Sequence, residues 1–155
     1  MLVDFDILPD ESRIWIYASE NRLTDEQQDY ILTSIYHHLR EWEAHKVPLT
    51  AGVKIIKNHF IVIALDESKN KASGCSIDTL QNKIQQIENK LSISLLNRLN
   101  IFCIVDDAIV CIPSVDLRKN VNKDTLFYDL TIESKSQIHS FLKPISDGWC
   151  GKLVD

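Results

Sequence analysis

Phe60-Ile61-Val62-Ile63-Ala64-Leu65 is apolar at every position. A strand with one wet face alternates apolar and polar side chains, so this unbroken run predicts a strand covered on both faces. Val53-Lys54-Ile55-Ile56 precedes it and reads as its partner strand, with Asn58-His59 between the two. Asn tolerates the positive φ that a tight hairpin turn demands. A two-residue turn at Asn58-His59 pairs Lys57 with Phe60, Ile56 with Ile61 and Ile55 with Val62.

Upstream, Arg13-Ile14-Trp15-Ile16-Tyr17-Ala18 is β-branched and aromatic and is bounded by Pro9-Asp10 and Asn21, which predicts another strand. If Ile14 and Ile16 face the helices, Trp15 and Tyr17 face the other side of the sheet, under the C-terminal segment or in a dimer interface. Thr24-Asp25-Glu26-Gln27 is a capping box. It predicts a helix to about Ala44, apolar at Tyr30, Ile31, Ile35, Leu39 and Trp42 and stopped by Pro48.

Downstream, residues 66–72 form a polar loop, and Ser73-Gly74-Cys75-Ser76-Ile77-Asp78 enters a second helix. Ile77, Leu80, Ile84, Ile87 and Leu91 give it a narrow apolar seam. Residues 95–99 add a helical turn. Ile101-Phe102-Cys103-Ile104-Val105 and Ile109-Val110-Cys111-Ile112 form a second hairpin; a three-residue loop, Asp106-Asp107-Ala108, sets Cys103 opposite Cys111. Thr125-Leu126-Phe127-Tyr128-Asp129 is a last strand, and a short helix over residues 133–142 precedes Pro144. The first six elements follow β-α-β-β-α-β, the order of a ferredoxin-like sheet with helices on one face. The expected fold class is α+β, mostly antiparallel: a ferredoxin-like core with a hairpin, strand and C-terminal helix extension, in a single domain over residues 1–155.

The chain of 155 residues carries a formal net charge of -5. Nucleic-acid binding needs a basic stripe that displaces counterions. The densest basic stretch, Arg118-Lys119-Asn120-Val121-Asn122-Lys123, is short and followed by Asp124, so no nucleic-acid partner is expected. No apolar run reaches the roughly 18–20 residues of a membrane span. Met1-Leu2-Val3-Asp4-Phe5-Asp6 carries acid where a secretory signal carries base. The expectation is a cytoplasmic protein with no membrane partner. Cys75, Cys103, Cys111 and Cys150 form no C-x-x-C pair, and cytosolic thiols stay reduced. Neither G-x-x-x-x-G-K-[ST], G-x-G-x-x-G nor G-x-S-x-G occurs. No cofactor is expected.

Chemistry gathers at Ser73-Gly74-Cys75-Ser76-Ile77-Asp78. Cys75 falls at a helix N-terminus, where the helix dipole favours a thiolate. Asp66 and Glu67 arrive from the end of the central hairpin, His45 or His59 can act as a base, and Arg98 can hold an anion. The expected pocket is Cys75, Asp78, Ser73, His45, Asp66, Glu67 and Arg98. The plainer assignment is structural: Ser76 or Asp78 caps the helix, Gly74 turns the chain and Cys75 fills a small buried space. Asp78 also opposes a thiolate. His38, Glu41, Trp42 and His45 share a helical face, but His38 to His45 spans two turns, too far for one ion. No metal is expected.

Several segments together resemble a known family. They are Leu8-Pro9-Asp10 with Ser12-Arg13-Ile14-Trp15-Ile16-Tyr17; Trp42-Glu43-Ala44-His45 with Leu49 and Ala51; Phe60 onward to Asp66-Glu67; Ala72-Ser73-Gly74-Cys75-Ser76-Ile77-Asp78; Asn97-Arg98; and Lys143-Pro144-Ile145 with Trp149. The family consists of uncharacterised small bacterial proteins of about this length, sometimes labelled "ABC transporter ATPase". The resemblance runs over most of the chain, and Ser-Gly-Cys-Ser-Ile-Asp is its most specific piece. It implies a free-standing bacterial cytoplasmic protein and brings no catalytic residues with it. The ATPase label has no chemistry here, because a phosphate-cradling Walker loop is absent. One position departs: Lys46 follows His45 where this family has Gly.

Two functions follow as expectations. The first is a non-enzymatic binding or assembly module, oligomeric, whose homodimer covers the residue 60–65 strand and the outward aromatics. The alternative is a small ligand-binding protein or thiol-dependent enzyme with its pocket at the Ser-Gly-Cys-Ser-Ile-Asp turn.

Overall fold

In the computed structural model, which describes all 155 residues, the apolar run lies in the middle strand of a three-stranded antiparallel sheet. The elements in chain order are β1 (Arg13–Ala18), α1 (Asp25–Arg40), β2 (Glu43–Ala44), β3 (Val47–Pro48), β4 (Thr50–Ile56), β5 (Phe60–Asp66), α2 (Gly74–Leu91), β6 (Asn100–Val105), β7 (Ala108–Pro113), α3 (Leu117–Asn120), β8 (Leu126–Tyr128) and β9 (Leu142–Pro144). Short 3-10 turns fill several connections. The class is α+β, and no helix is long and apolar enough to cross a membrane. The chain divides into two compact units, Met1–Leu96 with Glu133–Ser136, and Asn97–Ile132 with Gln137–Asp155.

In the first unit the sheet order is β1-β5-β4. From Phe60 to Leu65 every β5 side chain is buried. Ile61, Ile63 and Leu65 face a core built with Ile31, Ile35 and Leu39 of α1 and Leu80, Ile84 and Ile87 of α2. Phe60, Val62 and Ala64 alternate onto the opposite face and are equally buried within this single chain. The doubly covered strand is therefore as expected, but it needs no second subunit to cover it.

Each outer strand of this sheet meets a further segment of chain at one end. Beyond β1, Ile14 N–H donates to the Glu133 carbonyl and Lys135 N–H to the Ser12 carbonyl. Beyond β4, Leu2 bridges to Ala51 in parallel, and Val3 N–H donates to the Ala51 carbonyl. The N-terminal segment then crosses Gly52, where a Cβ would stand 2.7 Å from the Val3 carbonyl oxygen.

Four expectations need correction here. The ferredoxin-like sheet is incomplete: its first three strands stand in the expected order, but residues 101–105 pair elsewhere, in the sheet of the second unit. The first helix ends at Arg40 rather than near Ala44, because residues 43–48 fold into the β2–β3 hairpin. The central hairpin is shifted by one: Ile56 pairs with Phe60 and Ile55 with Ile61. Lys57 and Asn58, not Asn58 and His59, take the positive φ, and the His59 carbonyl accepts from Ser19 N–H. Trp15 and Tyr17 face the helices, not away from them, since both pack with the core of α1 and α2.

The second unit holds a four-stranded antiparallel sheet in the order β7-β6-β8-β9. Ile101, Cys103, Ile112, Leu117, Phe127 and Ile145 contribute to its core. Asp106 and Asp107 alone form the β6–β7 turn, pairing Val105 with Ala108. Cys103 therefore faces Val110, and Cys111 faces Phe102, not Cys103. The expected helical turn at residues 95–99 is absent: the backbone N–H groups of Leu95 and Leu96 bond instead to the Glu88 carboxylate.

At the tip of the β2–β3 hairpin, His45 and Lys46 both have positive φ, 54° and 65°. A residue with a Cβ is strained there by about 1–2 kcal/mol, and glycine is not. Glycine also enlarges the unfolded ensemble, which offsets about half of that gain. Lys46→Gly is expected to stabilise the protein by about 0.5–1 kcal/mol, read as a higher urea midpoint at unchanged slope; a lower midpoint refutes it.

Candidate functional site

The expected site is built on the connection from β5 to α2. After β5 the chain leaves the sheet through a polar loop held by its own side chains. Asp66 accepts from Ser68 N–H at 3.0 Å, and this bond holds its carboxyl below the usual range. Glu67 accepts from Ala72 N–H at 3.1 Å and stands 3.9 Å from the Arg13 guanidinium. Asn70 donates its amide to the Ala44 and Val47 carbonyls, at 3.3 and 3.0 Å. This clasp docks the β2–β3 hairpin, and with it His45, against the loop.

Ser73 then caps α2. Its hydroxyl accepts from Ser76 N–H at 3.1 Å, and the Ser76 hydroxyl accepts from Ser73 N–H at 2.7 Å. The cap is thus Ser73, not Ser76 or Asp78, and its polar groups serve the helix end. Cys75 is exposed, which corrects the expectation of a buried filler. Asp78 and His45 are exposed as well.

Beneath this surface runs a ladder of aromatic contacts. The Arg13 guanidinium lies 4.7 Å from the centre of the Trp15 ring. Trp15 meets Trp42 edge to face with centroids 5.8 Å apart. Trp42 in turn donates its indole N–H to the Ser76 carbonyl at 2.8 Å, fully buried. The indole therefore ties the segment after α1 to the first turn of α2.

The residues Asp66, Glu67, Ser73, Cys75, Asp78 and His45 thus belong to one connected piece of structure, in the first unit. Arg98 belongs to the second unit, where it lines a cavity. The supposed metal stripe dissolves because α1 ends before it: Glu41 is the C-cap and His45 sits on the hairpin tip. No three His, Cys, Asp or Glu side chains converge as a metal site requires. His38 keeps a buried Nε2 without a partner, and burial, then Lys83 and His37, lower its pKa.

Cys103 and Cys150 are buried. Burial, reinforced by Cys150 and Cys111, pushes the Cys103 thiol up to about 12, and burial raises that of Cys150. Neither is a nucleophile at neutral pH.

The second unit adds two concave features. An open groove of about 390 Å³ runs beside β7 and α3, lined by Val105, Val110, Ile112, Asp116 and Lys119. A smaller cavity of about 100 Å³ is lined by Arg98, Asn100, Ile101, Phe127, Thr131 and Trp149 among others. Asn70 and the indole N–H of Trp42 are absent from the sequence-based expectation. Asn70 carries no periodic or motif signal, and Trp42 reads simply as one apolar position of a longer helix.

Replacing Trp42 by Phe keeps most of the packing and removes the donor to Ser76. The Ser76 carbonyl still accepts from the Thr79 hydroxyl at 2.8 Å, so the loss is that of one of its bonds. Trp42→Phe is expected to cost about 1–2 kcal/mol of stability, measured by chemical denaturation; a cost near zero means that the indole N–H holds nothing. Compared with protein-family models, curated proteins and solved structures, the chain matches none.

Proposed function

We propose that the chain is a non-enzymatic cytoplasmic assembly module that pairs with a second copy of itself along β7. One observation carries the reading: β7, Ala-Ile-Val-Cys-Ile-Pro, is a six-residue edge strand without a single charged side chain. Native sheets blunt such edges with lysine, bulges or covering chain, because an apolar edge is a template for another strand. The outer strands of the first sheet are each met by another chain segment at one end, and β7 carries only a terminal proline.

Surrounding features favour the same partner. Val115, just beyond β7, is 84% exposed, and the open groove beside the strand offers room for side chains of an added strand. Antiparallel pairing about a two-fold axis sets the Asp106-Asp107 turn of one copy beside residues 114–120 of the other. That segment presents exposed Arg118 and Lys119, so acid meets base at both ends of the interface. The resemblance to a family of small bacterial proteins accords with a free-standing module.

A second reading rests on Cys75, an exposed thiol in the first turn of an 18-residue helix, close to the docked His45 hairpin. It makes the α2 turn a ligand or thiol-chemistry site.

Sedimentation at micromolar concentration is expected to give a dimer, and Val110→Lys a monomer with unchanged circular dichroism. A wild-type monomer, or a dimer that survives the lysine, overturns the pairing. The second reading expects Cys75 to react with a thiol-directed disulfide reagent several-fold faster than free cysteine at pH 7, and Cys75→Ser to abolish that reaction. A rate at or below that of free cysteine removes it.

A further inference from the structure

His38 stands in the last turn of α1, a helix that packs on α2. The residue is half-buried, and its Nε2 atom is buried with no hydrogen-bond partner. A neutral imidazole needs an N–H on only one nitrogen, whereas an imidazolium carries one on both. Protonation therefore places a charged donor at Nε2 with nothing to accept it, which costs more than an orphaned neutral group.

The ring also touches the tie between α1 and α2. His38 and Trp42 have ring centroids 6.1 Å apart with their planes inclined at 42°. Trp42 in turn donates its indole N–H to the Ser76 carbonyl at 2.8 Å. His38 is thus one contact away from the bond that fastens the first turn of α2.

The surrounding charges give an imidazolium no relief. Lys83 of α2 and His37 of α1 both oppose a positive charge on the ring. β4 packs on α1 as well, but its charged residue, Lys54, is paired with Asp6. From β1, Arg13 stacks on Trp15 and faces Glu67. Glu41 and Glu43, on either side of Trp42, are exposed.

We propose that His38 is a pH-sensitive latch: neutral, it lets Trp42 close on the first turn of α2, and protonated, it loosens that closure and frees the Ser76 carbonyl. Trp42 leads directly into the β2–β3 hairpin, so the loosening reaches His45 at the hairpin tip and Cys75 in the first turn of α2. Every residue involved lies in the first unit, and the latch does not depend on pairing along β7.

Burial, then Lys83 and His37, hold the His38 pKa below the ordinary 6.5, so the unfolded or opened chain takes up the proton first. Stability is therefore full above pH 6.5 and declines as the pH falls, the loss being complete only beneath the folded-state pKa.

The test is NMR of the full chain as a function of pH. The His38 ring is expected to titrate below 6.5 in the native state. Protection of the Trp42 indole N–H against solvent exchange is expected to fall at least about threefold between pH 7 and 5. In His38→Gln the same protection is expected to stay level, and Lys83→Gln is expected to raise the His38 titration and shrink the loss. A His38 that titrates at or above 6.5, an indole whose protection does not change with acid, or a His38→Gln chain with the wild-type acid response would each overturn the latch.

Discussion

A strand that is apolar on both faces can live only in the middle of something. From Phe60 to Leu65 nothing on β5 can face water, and each of its larger side chains contributes about 1.5–3 kcal/mol by burial. Its backbone groups must then find partners on both sides, since an orphaned buried group costs about 1–3 kcal/mol. β1 and β4 supply them. The need does not stop there, because β1 and β4 acquire outer edges of their own. Residues 133–136 close one and the N-terminal segment the other. The three-stranded sheet, two helices on one face and two borrowed chain segments at the edges all descend from that one apolar run.

The same logic explains why chemistry-bearing residues around α2 serve architecture. A helix that packs on a sheet must be held at its end as well as along its face. Trp42 does this from a segment that has already left α1, by delivering one indole N–H to the Ser76 carbonyl. Arg13 and Trp15 brace Trp42 from the sheet, and Asn70 holds the hairpin that follows it. Asp66, Glu67 and Ser73 each accept a backbone N–H of the loop or helix cap. What remains outward is Cys75, Asp78 and His45.

Much of this fold was legible. β1 matches the sequence reading residue for residue, the Thr24 capping box is present with both of its bonds, and the apolar seam of α2 is buried at Leu80, Ile84 and Ile87. These are local patterns whose cause lies within a few residues. The misreadings share a different cause. Positive φ at Lys57, Lys46 and Asp107 has no glycine to announce it, so turn length and register could not be read from composition. Trp42 continues the spacing of α1 although the helix has ended. The face chosen by Trp15 depends on Trp42, 27 positions away by number. The sheet joined by β6 depends on pairing with β8, which no local pattern encodes. Of the expected site, the polar loop and the start of the helix were legible, though its cap is Ser73; Arg98 falls in the second unit, where it lines a cavity with residues of β6 and β8 and with Trp149.

The second unit is organised by a different compromise. Its sheet has a small apolar core, and a part-buried ion pair of Asp129 and Lys143 accompanies it. Burial pushes the Asp129 carboxyl up, but the Lys143 ammonium and the two Thr131 bonds outweigh this and hold it below the usual range. Such a pair contributes little net stability against an apolar replacement, yet removing Lys143 leaves the largely buried Asp129 carboxylate without its cation. Its value is therefore positional. Lys143 lies on β9 opposite Phe127, and Asp129 leads from β8 into the turn that carries Thr131. The pair fixes β9 to that turn.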